Sequence, residues 1–111
     1  MDRFGNKNDK LTLVLKGAGT IIANHNKQVT VNYSGNSAMA TAGMGDVLAG
    51  VIAAYLGMGL SPHESASLGV YLHGRAGDIL AQEQGVGFSA SDLSRTLPKA
   101  RQQLEQTVFT N

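Results

Sequence analysis

The stretch that decides the fold is Met39–Gly59, "MATAGMGDVLAGVIAAYLGMG". A glycine-bracketed turn, Gly43-Met44-Gly45, comes directly before a single carboxylate, Asp46, and an apolar run without further charge. In that run the larger apolar side chains recur at helical spacing, and small residues fill most of the other positions. This pattern is typical of a helix that is buried on several sides. The sequence therefore predicts a buried helix whose first turn carries one acidic residue.

The turn at the start of this helix has the composition of an anion-binding site. The first backbone N–H groups of a helix have no intrahelical partner and point out of its end. Gly43 and Gly45 allow a tight turn and the close approach of a ligand. Two interpretations of Asp46 stay open at this point. It is either a base that takes a proton from a substrate hydroxyl, or a carboxylate that only complements the helix dipole.

Three short strands are predicted before the turn. "LTLVLK" (Leu11–Lys16) and "TIIA" (Thr20–Ala23) are apolar and rich in β-branched residues, and "QVTVNYS" (Gln28–Ser34) alternates apolar and polar residues. The turn clusters "GAG" and "NHNK" separate them. Consecutive strands with short turns predict a meander at one side of a sheet. Residues 1–10, "MDRFGNKNDK", form a polar lead-in.

Two more helices are predicted after the buried one. "SPHE" (Ser61–Glu64) places a cap residue, a proline and a glutamate at the spacing of a helix start, and we expect this helix to run to about Gln84. "SASD" (Ser89–Asp92) opens a third helix, which Pro98 is expected to restart because proline is poorly tolerated inside a helix. Three strands followed by three helices predict an α/β fold. Three short strands are few for these helix faces, which indicates that part of the fold lies elsewhere.

Composition and charge narrow the class of protein. The chain has 111 residues, of which 42% are hydrophobic and 15% charged, so we expect one packed domain or a piece of one. A net charge of +1 with scattered basic residues favours neither a nucleic acid nor a membrane as partner. The longest uncharged apolar stretch, Val47–Leu60, is shorter than the roughly 20 residues that cross a bilayer. The lack of cysteine excludes disulfides and fits a cytoplasmic protein.

Three pieces of sequence, in this order, carry a resemblance to a known family: "LVLKGAGTIIA", "GNSAMATAGMGDVLAGVIAA" and "GVYLHGRAGD". Together they resemble the C-terminal core of the ribokinase-like superfamily. Within it, the chain is most similar to the ADP/ATP-dependent NAD(P)H-hydrate dehydratases, the carbohydrate-kinase-like YjeF C-terminal domain. "ASDLSRTLPKA" resembles the closing segment of that domain. The resemblance implies that residues 11–111 are the C-terminal portion of a three-layer ribokinase-like domain.

The resemblance also implies an activity. Members of the family are lyases that repair NADH and NADPH hydrated at the nicotinamide ring. A nucleotide, ADP or ATP carried with Mg²⁺, phosphorylates the added hydroxyl, and phosphate then leaves. On the matching positions Asp46 would touch the hydrated nicotinamide and act as the base, beside an anion hole of Gly43, Met44 and Gly45. The implied nucleotide contacts are Lys16, Gly17, Ala18, Gly19, Thr20 and Gly45.

Several of these residues also have plainer interpretations. "KGAGT" (Lys16–Thr20) lacks a Cβ at two positions, which suits close approach to a ligand, but a tight turn between strands has the same composition. Lys16 could equally be a solvated lysine at a strand end. His73 and Asp78 are not at the i, i+4 spacing of a helical pair of metal ligands. We therefore predict that His73 is a hydrogen-bonded packing residue and that the protein provides no dedicated metal site.

The chain departs from the family in length. A complete domain is more than twice as long, and its N-terminal part supplies most of the parallel sheet and much of the wall around the nicotinamide substrate. We therefore expect exposed apolar faces and a free sheet edge, and with them a homo-oligomer or a partner that supplies the other half. Two alternatives stay open. One is a sibling kinase for a sugar, vitamin or thiazole alcohol, and the other is an inactive fragment that binds nucleotide or packs with a partner.

Overall fold

The computed structural model describes residues 11–16, 19–36, 39, 42–85 and 87–109. The polar lead-in, residues 1–10, lies outside these ranges. The predicted order of three strands and then three helices is confirmed. The elements are β1 (Thr12–Leu15), β2 (Thr20–Asn24), β3 (Val29–Asn32), α1 (Met44–Gly57), α2 (Pro62–Gln84) and α3 (Ala90–Phe109).

The three strands form the predicted antiparallel meander, in the order β1-β2-β3. Ile22 on the central strand lies between Val14 and Thr30, and this face of the sheet packs on the helices. Ile22 is fully buried there. The turn from β2 to β3 is stabilised by Asn24, whose Oδ1 accepts hydrogen bonds from the backbone N–H groups of Asn26 and Gln28, both at 3.0 Å.

The other face of the sheet is apolar and exposed. β3 is half exposed, as predicted, but the exposed half is the apolar one: Val29, Val31 and Tyr33 are 62%, 45% and 78% exposed. Thr30 and Asn32 face the helices instead, and Thr30 has a polar partner there. Thr30 Oγ1 lies 2.9 Å from Nε2 of His63 on α2, and this contact satisfies a hydroxyl that would otherwise be costly to bury.

α2 is the central helix, since it packs against all three strands, α1 and α3. It begins as predicted: Ser61 Oγ accepts from the N–H of Glu64, and the Glu64 carboxylate accepts from the N–H of Ser61. A Cβ at Gly69 would stand 2.7 Å from Cγ1 of Ile52, so the small residue lets α1 approach closely. Among the described residues, no helix is long and apolar enough to cross a membrane.

α3 is one helix that continues through Pro98, so the predicted restart at Pro98 is wrong. The cap at its start is as predicted, because Ser89 and Asp92 exchange hydrogen bonds of 2.9 and 3.1 Å. Leu93 and Ala100 are buried on either side of the proline, seven residues apart and so on the same face of the helix. Burying both on one continuous helix outweighs the single backbone hydrogen bond that proline removes.

Candidate functional site

A cleft of about 400 Å³ opens where the sheet meets the beginning of α1 and the middle of α2. It brings together segments that are far apart in the sequence. Its walls include the end of β1, the start of β2, the loop after β3 and the first turn of α1. The polar residues among its lining are Lys16, Thr20, Asn32, Ser34, Asn36 and His73.

The first turn of α1 is built to present free backbone N–H groups. The cap residue Gly43 has no side chain that could accept from these groups, and it is left-handed, with φ +88° and ψ −10°. An alanine there would be strained, and its Cβ would lie 3.0 Å from the Cβ of Ala90. A left-handed residue followed by right-handed ones aims successive N–H groups toward one point, which is the geometry of an anion-binding nest. The turn can therefore hold a negatively charged group.

Lys16 reaches this turn from the end of β1. Its Nζ lies 3.5 Å from the point that a Cβ at Gly45 would occupy. The ammonium group and the N-terminus of a helix are both positive, so they repel one another unless an anion lies between them. Glycine at position 45 leaves room for both the lysine and a ligand.

His73 holds the first turn of α1 from the side of α2. Its Nε2 donates to the backbone carbonyl of Met44 at 3.0 Å, and since a carbonyl only accepts, the proton is on Nε2. The side chain is buried. Burial lowers the pKa of His73 below its ordinary value, the bond to Met44 opposes this, and the charge of Lys16 lowers the pKa further. His73 is thus a neutral, buried, hydrogen-bonded residue, as predicted.

Asp78 holds the opposite wall of the cleft, the loop after β3. Its carboxylate accepts from the backbone N–H of Gly35 and from Nδ2 of Asn36, both at 3.0 Å. Arg75, three residues earlier, lies 3.7 Å from the same carboxylate. The sequence alone does not predict that Asp78 holds this loop, because no local pattern shows which distant loop a helical carboxylate will contact.

The loop after β3 lies directly on the backbone of α2. Ser34 Oγ donates to the carbonyl of Tyr71 at 3.0 Å, and a Cβ at Gly74 would stand 2.7 Å from the carbonyl carbon of Ser34. A Cβ at Gly77 would stand 2.7 Å from Cγ of Met39. The two glycines of α2 therefore form the groove in which this wall of the cleft rests.

The structure places the predicted site residues as follows. Lys16, Thr20, Met44 and Gly45 line the cleft, whereas Gly43, the cap residue of α1, is not part of the lining. Asp46 is exposed on the first turn and does not belong to the described lining. Gly17 and Ala18 lie outside the described residues. Gly19 faces Tyr33, since a Cβ there would stand 2.9 Å from the tyrosine ring. Four polar residues of the lining were not predicted as parts of the site: Asn32, Ser34, Asn36 and His73.

A left-handed glycine turn at the start of a helix, with a lysine from a neighbouring strand beside it, is typical of phosphate-binding α/β proteins. Residues 4–99 match the profile of a carbohydrate-kinase family described as NAD(P)H-hydrate dehydratase. Because this match covers most of the chain, the chain belongs to that family.

The curated relatives carry names of the same kind. The bifunctional NAD(P)H-hydrate repair enzyme Nnr of Moorella thermoacetica is 50% identical over 99 residues, which is 88% of this chain and 19% of the relative. The ADP-dependent (S)-NAD(P)H-hydrate dehydratase of Neisseria meningitidis is 41% identical over 92 residues, or 81% of this chain and 30% of the relative. The chain thus spans between about a fifth and a third of these relatives.

A solved structure shows the same fold. The ADP/ATP-dependent NAD(P)H-hydrate dehydratase of Bacillus subtilis, co-crystallised with ATP and Mg²⁺ and soaked with CoA, matches with a TM-score of 0.80 and 34% identity. The match covers 85% of this chain and 35% of the other. The arrangement of strands and helices is therefore that of the dehydratase fold, which confirms the predicted fold class.

Proposed function

We propose that this chain is the nucleotide-binding part of an NAD(P)H-hydrate dehydratase, a lyase that uses ADP or ATP to dehydrate hydrated NADH or NADPH. The observation that carries the proposal is Lys16 beside the uncapped first turn of α1, with Nζ 3.5 Å from the Cβ position of Gly45. Such an arrangement is repulsive without a ligand and favourable with a phosphate bound. The names of the relatives favour dehydration over transfer of phosphate to a stable alcohol.

In this proposal the phosphates of the nucleotide lie at the turn of Gly43, Met44 and Gly45. The backbone N–H groups and the Lys16 ammonium stabilise the negative charge that develops during phosphoryl transfer. Thr20 and the rest of the "KGAGT" segment contact the nucleotide.

The residues present also fit a Mg²⁺ ion that arrives with the nucleotide. Mg²⁺ prefers phosphate oxygens and water, and in nucleotide sites it takes only one or two protein carboxylates. Within the described ranges, no group of three or more His, Cys, Asp or Glu side chains stands ready to hold a metal alone. The ion would supply charge neutralisation on the phosphates.

We assign the role of base to Asp46. It is an exposed carboxylate one residue beyond Gly45, so it can reach a second molecule bound at the edge of the cleft. There it would take the proton from the added hydroxyl as the hydroxyl oxygen attacks the terminal phosphorus. The bond from that phosphorus to its bridging oxygen would break, which releases AMP from ADP or ADP from ATP. His73 is a poorer candidate, because its Nε2–H is engaged by the carbonyl of Met44.

The test is an assay with hydrated NADH, ADP and Mg²⁺, followed by the recovery of NADH absorbance. It uses this chain and a chimera in which residues 11–109 replace the matching part of the Bacillus subtilis dehydratase. Asp46→Asn should keep ADP affinity and lower turnover about 10²–10⁴-fold, the usual effect of removing a positioned base. Glu105→Gln, an exposed carboxylate on α3, is the matched control and should leave turnover unchanged.

The outcomes separate the alternatives. Near-normal turnover in the Asp46→Asn chimera would contradict the role of the base. Accumulation of a stable phosphorylated alcohol, with no recovery of NADH, would favour a sibling kinase. Binding of ADP by this chain without turnover, while the chimera is active, would mean that the rest of the domain must be supplied.

We also propose that the exposed apolar face of the sheet is covered in the working protein, by further dehydratase sequence or by a second copy of this chain. Soluble monomers rarely leave a large contiguous apolar patch exposed. This face carries Leu13, Leu15, Val29, Val31 and Tyr33, each at least 45% exposed.

A cytoplasmic location, consistent with the lack of cysteine, is part of the same proposal.

A further inference from the structure

We propose that His73 is a positioning residue for the anion-binding turn, and that it sets the direction in which the backbone N–H of Gly45 points. The inference rests on the proposed function. It means that a residue of α2 stabilises the turn at the start of α1. Its basis is the 3.0 Å hydrogen bond from His73 Nε2 to the carbonyl oxygen of Met44, made by a side chain that is 9% exposed.

The connection from His73 to Gly45 is a single peptide plane. The carbonyl of Met44 and the N–H of Gly45 belong to the same peptide group, whose six atoms are coplanar and whose C=O and N–H point in opposite directions. Holding the carbonyl toward α2 therefore turns the N–H away from α2. Gly45 has no Cβ to restrain this plane. Since α1 begins at Met44, the carbonyl of Met44 also accepts the helical bond from the N–H four residues on, and His73 adds a second restraint from outside the helix.

The turn needs such a support because its own local restraints are few. The cap residue of α1, Gly43, is left-handed and has no side chain that could accept a hydrogen bond from the turn. The first backbone bond of the helix, from the N–H of Val47 to the carbonyl of Gly43, closes the turn but does not use the N–H groups of Met44, Gly45 or Asp46. Donors that hold a phosphate must be directed before the ligand arrives, since reorganisation at the moment of binding weakens the interaction.

The donor is mounted on a part of α2 that cannot easily shift. Ser34 lies against Gly74, the residue after His73, at a distance that leaves no room for a Cβ. The same serine donates to the carbonyl of Tyr71, two residues before His73. The imidazole thus links the segment of α2 that contacts the loop after β3 to the first turn of α1. One segment of α2 holds both walls of the cleft.

His73 should also sense a bound anion. The charge of Lys16 disfavours the protonated imidazole. An anion between Lys16 and the turn offsets that charge, so the pKa of His73 should rise when the anion binds. The other charged groups on the adjacent elements are Asp46 in the same turn and Arg75 and Asp78 on α2. This response reports that the anion binds beside Lys16 and the imidazole, whereas the amide of Gly45 reports the positioning role itself.

The experiment compares His73→Gln, which keeps an N–H donor near the position of Nε2, with His73→Leu, which keeps bulk and removes the donor. Titrations with ADP at pH 8 should show affinity about tenfold weaker for His73→Leu and within about threefold of wild type for His73→Gln. In NMR spectra, the amide of Gly45 should shift in the leucine variant and keep its position in the glutamine variant. Addition of inorganic pyrophosphate to the wild type should raise the pKa of the His73 imidazole.

The outcomes keep the inference apart from the proposed function. If wild-type protein binds neither ADP nor pyrophosphate, the proposed nucleotide site fails, while the amide of Gly45 and hydrogen exchange at Val47 still decide whether His73 positions the turn. If His73→Leu does not fold, two other measurements decide: the position of the Gly45 amide in His73→Gln, and the pKa of His73 in the wild-type protein with and without pyrophosphate. An unchanged Gly45 amide in a folded leucine variant, or a His73 pKa that ignores bound pyrophosphate, would overturn the inference.

Discussion

Lys16 lies close to the first turn of α1, with Nζ 3.5 Å from the point that a Cβ at Gly45 would occupy. The backbone N–H groups at a helix start carry partial positive charge, so they repel the ammonium group. The arrangement is understandable if an anionic ligand completes it, because the ligand then interacts with the ammonium and the helix N-terminus together.

Removal of the Lys16 charge should therefore have opposite effects on ADP affinity and on the free energy of unfolding. Lys16→Gln should weaken ADP binding by about three- to tenfold, because one charge-assisted contact is lost. The same variant should leave the free energy of unfolding unchanged or slightly higher, since repulsion at the helix start is relieved. Lys27→Gln, an exposed lysine in the β2–β3 turn, is the control. Calorimetric titration and urea unfolding measure the two effects, and a loss of stability in Lys16→Gln would contradict the argument.

His73 makes the stability of the chain depend on pH. Its pKa is lowered in the folded state, mainly by burial, so the unfolded chain binds a proton more readily. The contribution of neutral His73 to the free energy of unfolding is therefore complete above its ordinary pKa of about 6.5. This contribution is lost as the pH falls through the lower pKa that His73 has in the folded protein. Urea unfolding between pH 8 and pH 5 should show this loss, and His73→Gln should reduce it. An equal pH dependence in both proteins would exclude His73 as the cause.

At the scale of the elements, α2 acts as the common support of the cleft. Its residues contact the loop after β3 through Tyr71, Gly74 and Asp78, and they contact α1 through Gly69 and His73. Both approaches depend on small residues at positions where the neighbouring backbone or side chain lies against the helix. Glycine is unfavourable in a helix interior, so close packing must compensate for it.

Two glycine-to-alanine variants test whether close packing determines the need for glycine, because they should change the free energy of unfolding in opposite directions. Gly74→Ala should lower the free energy of unfolding by about 1–3 kcal/mol, because its Cβ would overlap the carbonyl carbon of Ser34, a backbone atom that cannot easily move. Gly50→Ala on α1 should raise it by about 0.5–1 kcal/mol, since nothing lies within 4 Å of the added carbon. Urea denaturation of both variants is the measurement. Equal effects would show that helix propensity, rather than close approach, determines the outcome.

At the scale of the whole molecule, the sheet is covered on one face only. Ile22 and Val14 pack on the helices, while Leu13, Leu15 and Val31 on the other face are about half exposed. The fold thus supports the cleft from the helical side and leaves an apolar surface toward solvent. The solved dehydratase that matches this chain contains about two and a half times as much polypeptide, since the match covers 85% of this chain and 35% of the dehydratase.

We expect this surface to make the isolated chain self-associate. Light scattering should give a mass above that of the 11.6 kDa chain, rising with protein concentration. Val31→Thr keeps a β-branched side chain and should shift the equilibrium toward the monomer. Met58→Gln, a change of an exposed apolar residue beyond the end of α1, should not. A monodisperse wild-type monomer would contradict the proposal that this face needs a cover.

The sequence was sufficient wherever neighbours within a few residues decide the structure. The caps at Ser61 and Ser89 were predicted correctly because the residue three positions later completes each of them. The strands and their turns followed from apolar patterns and turn residues, and the start of α1 followed from its glycines. The prediction failed at Pro98, where the local preference for a break is overruled by packing of Leu93 and Ala100 into the helical core. It also failed for α1, which was predicted to be buried on several sides: three of its residues, Met44, Leu48 and Tyr55, are buried, because α2, α3 and the sheet cover one side of the helix.

By itself, then, the sequence determined the order of the elements, the glycine turn with its single carboxylate, and the family to which these motifs point. Only the tertiary structure decided that Lys16 reaches Gly45, that His73 holds the carbonyl of Met44, and that Asp78 holds the loop at Gly35 and Asn36. The physical reason is sequence distance. Caps and turns are closed by residues three or four positions apart, whereas each wall of the cleft is held by a partner about thirty or forty residues away, brought close by the packing of α2.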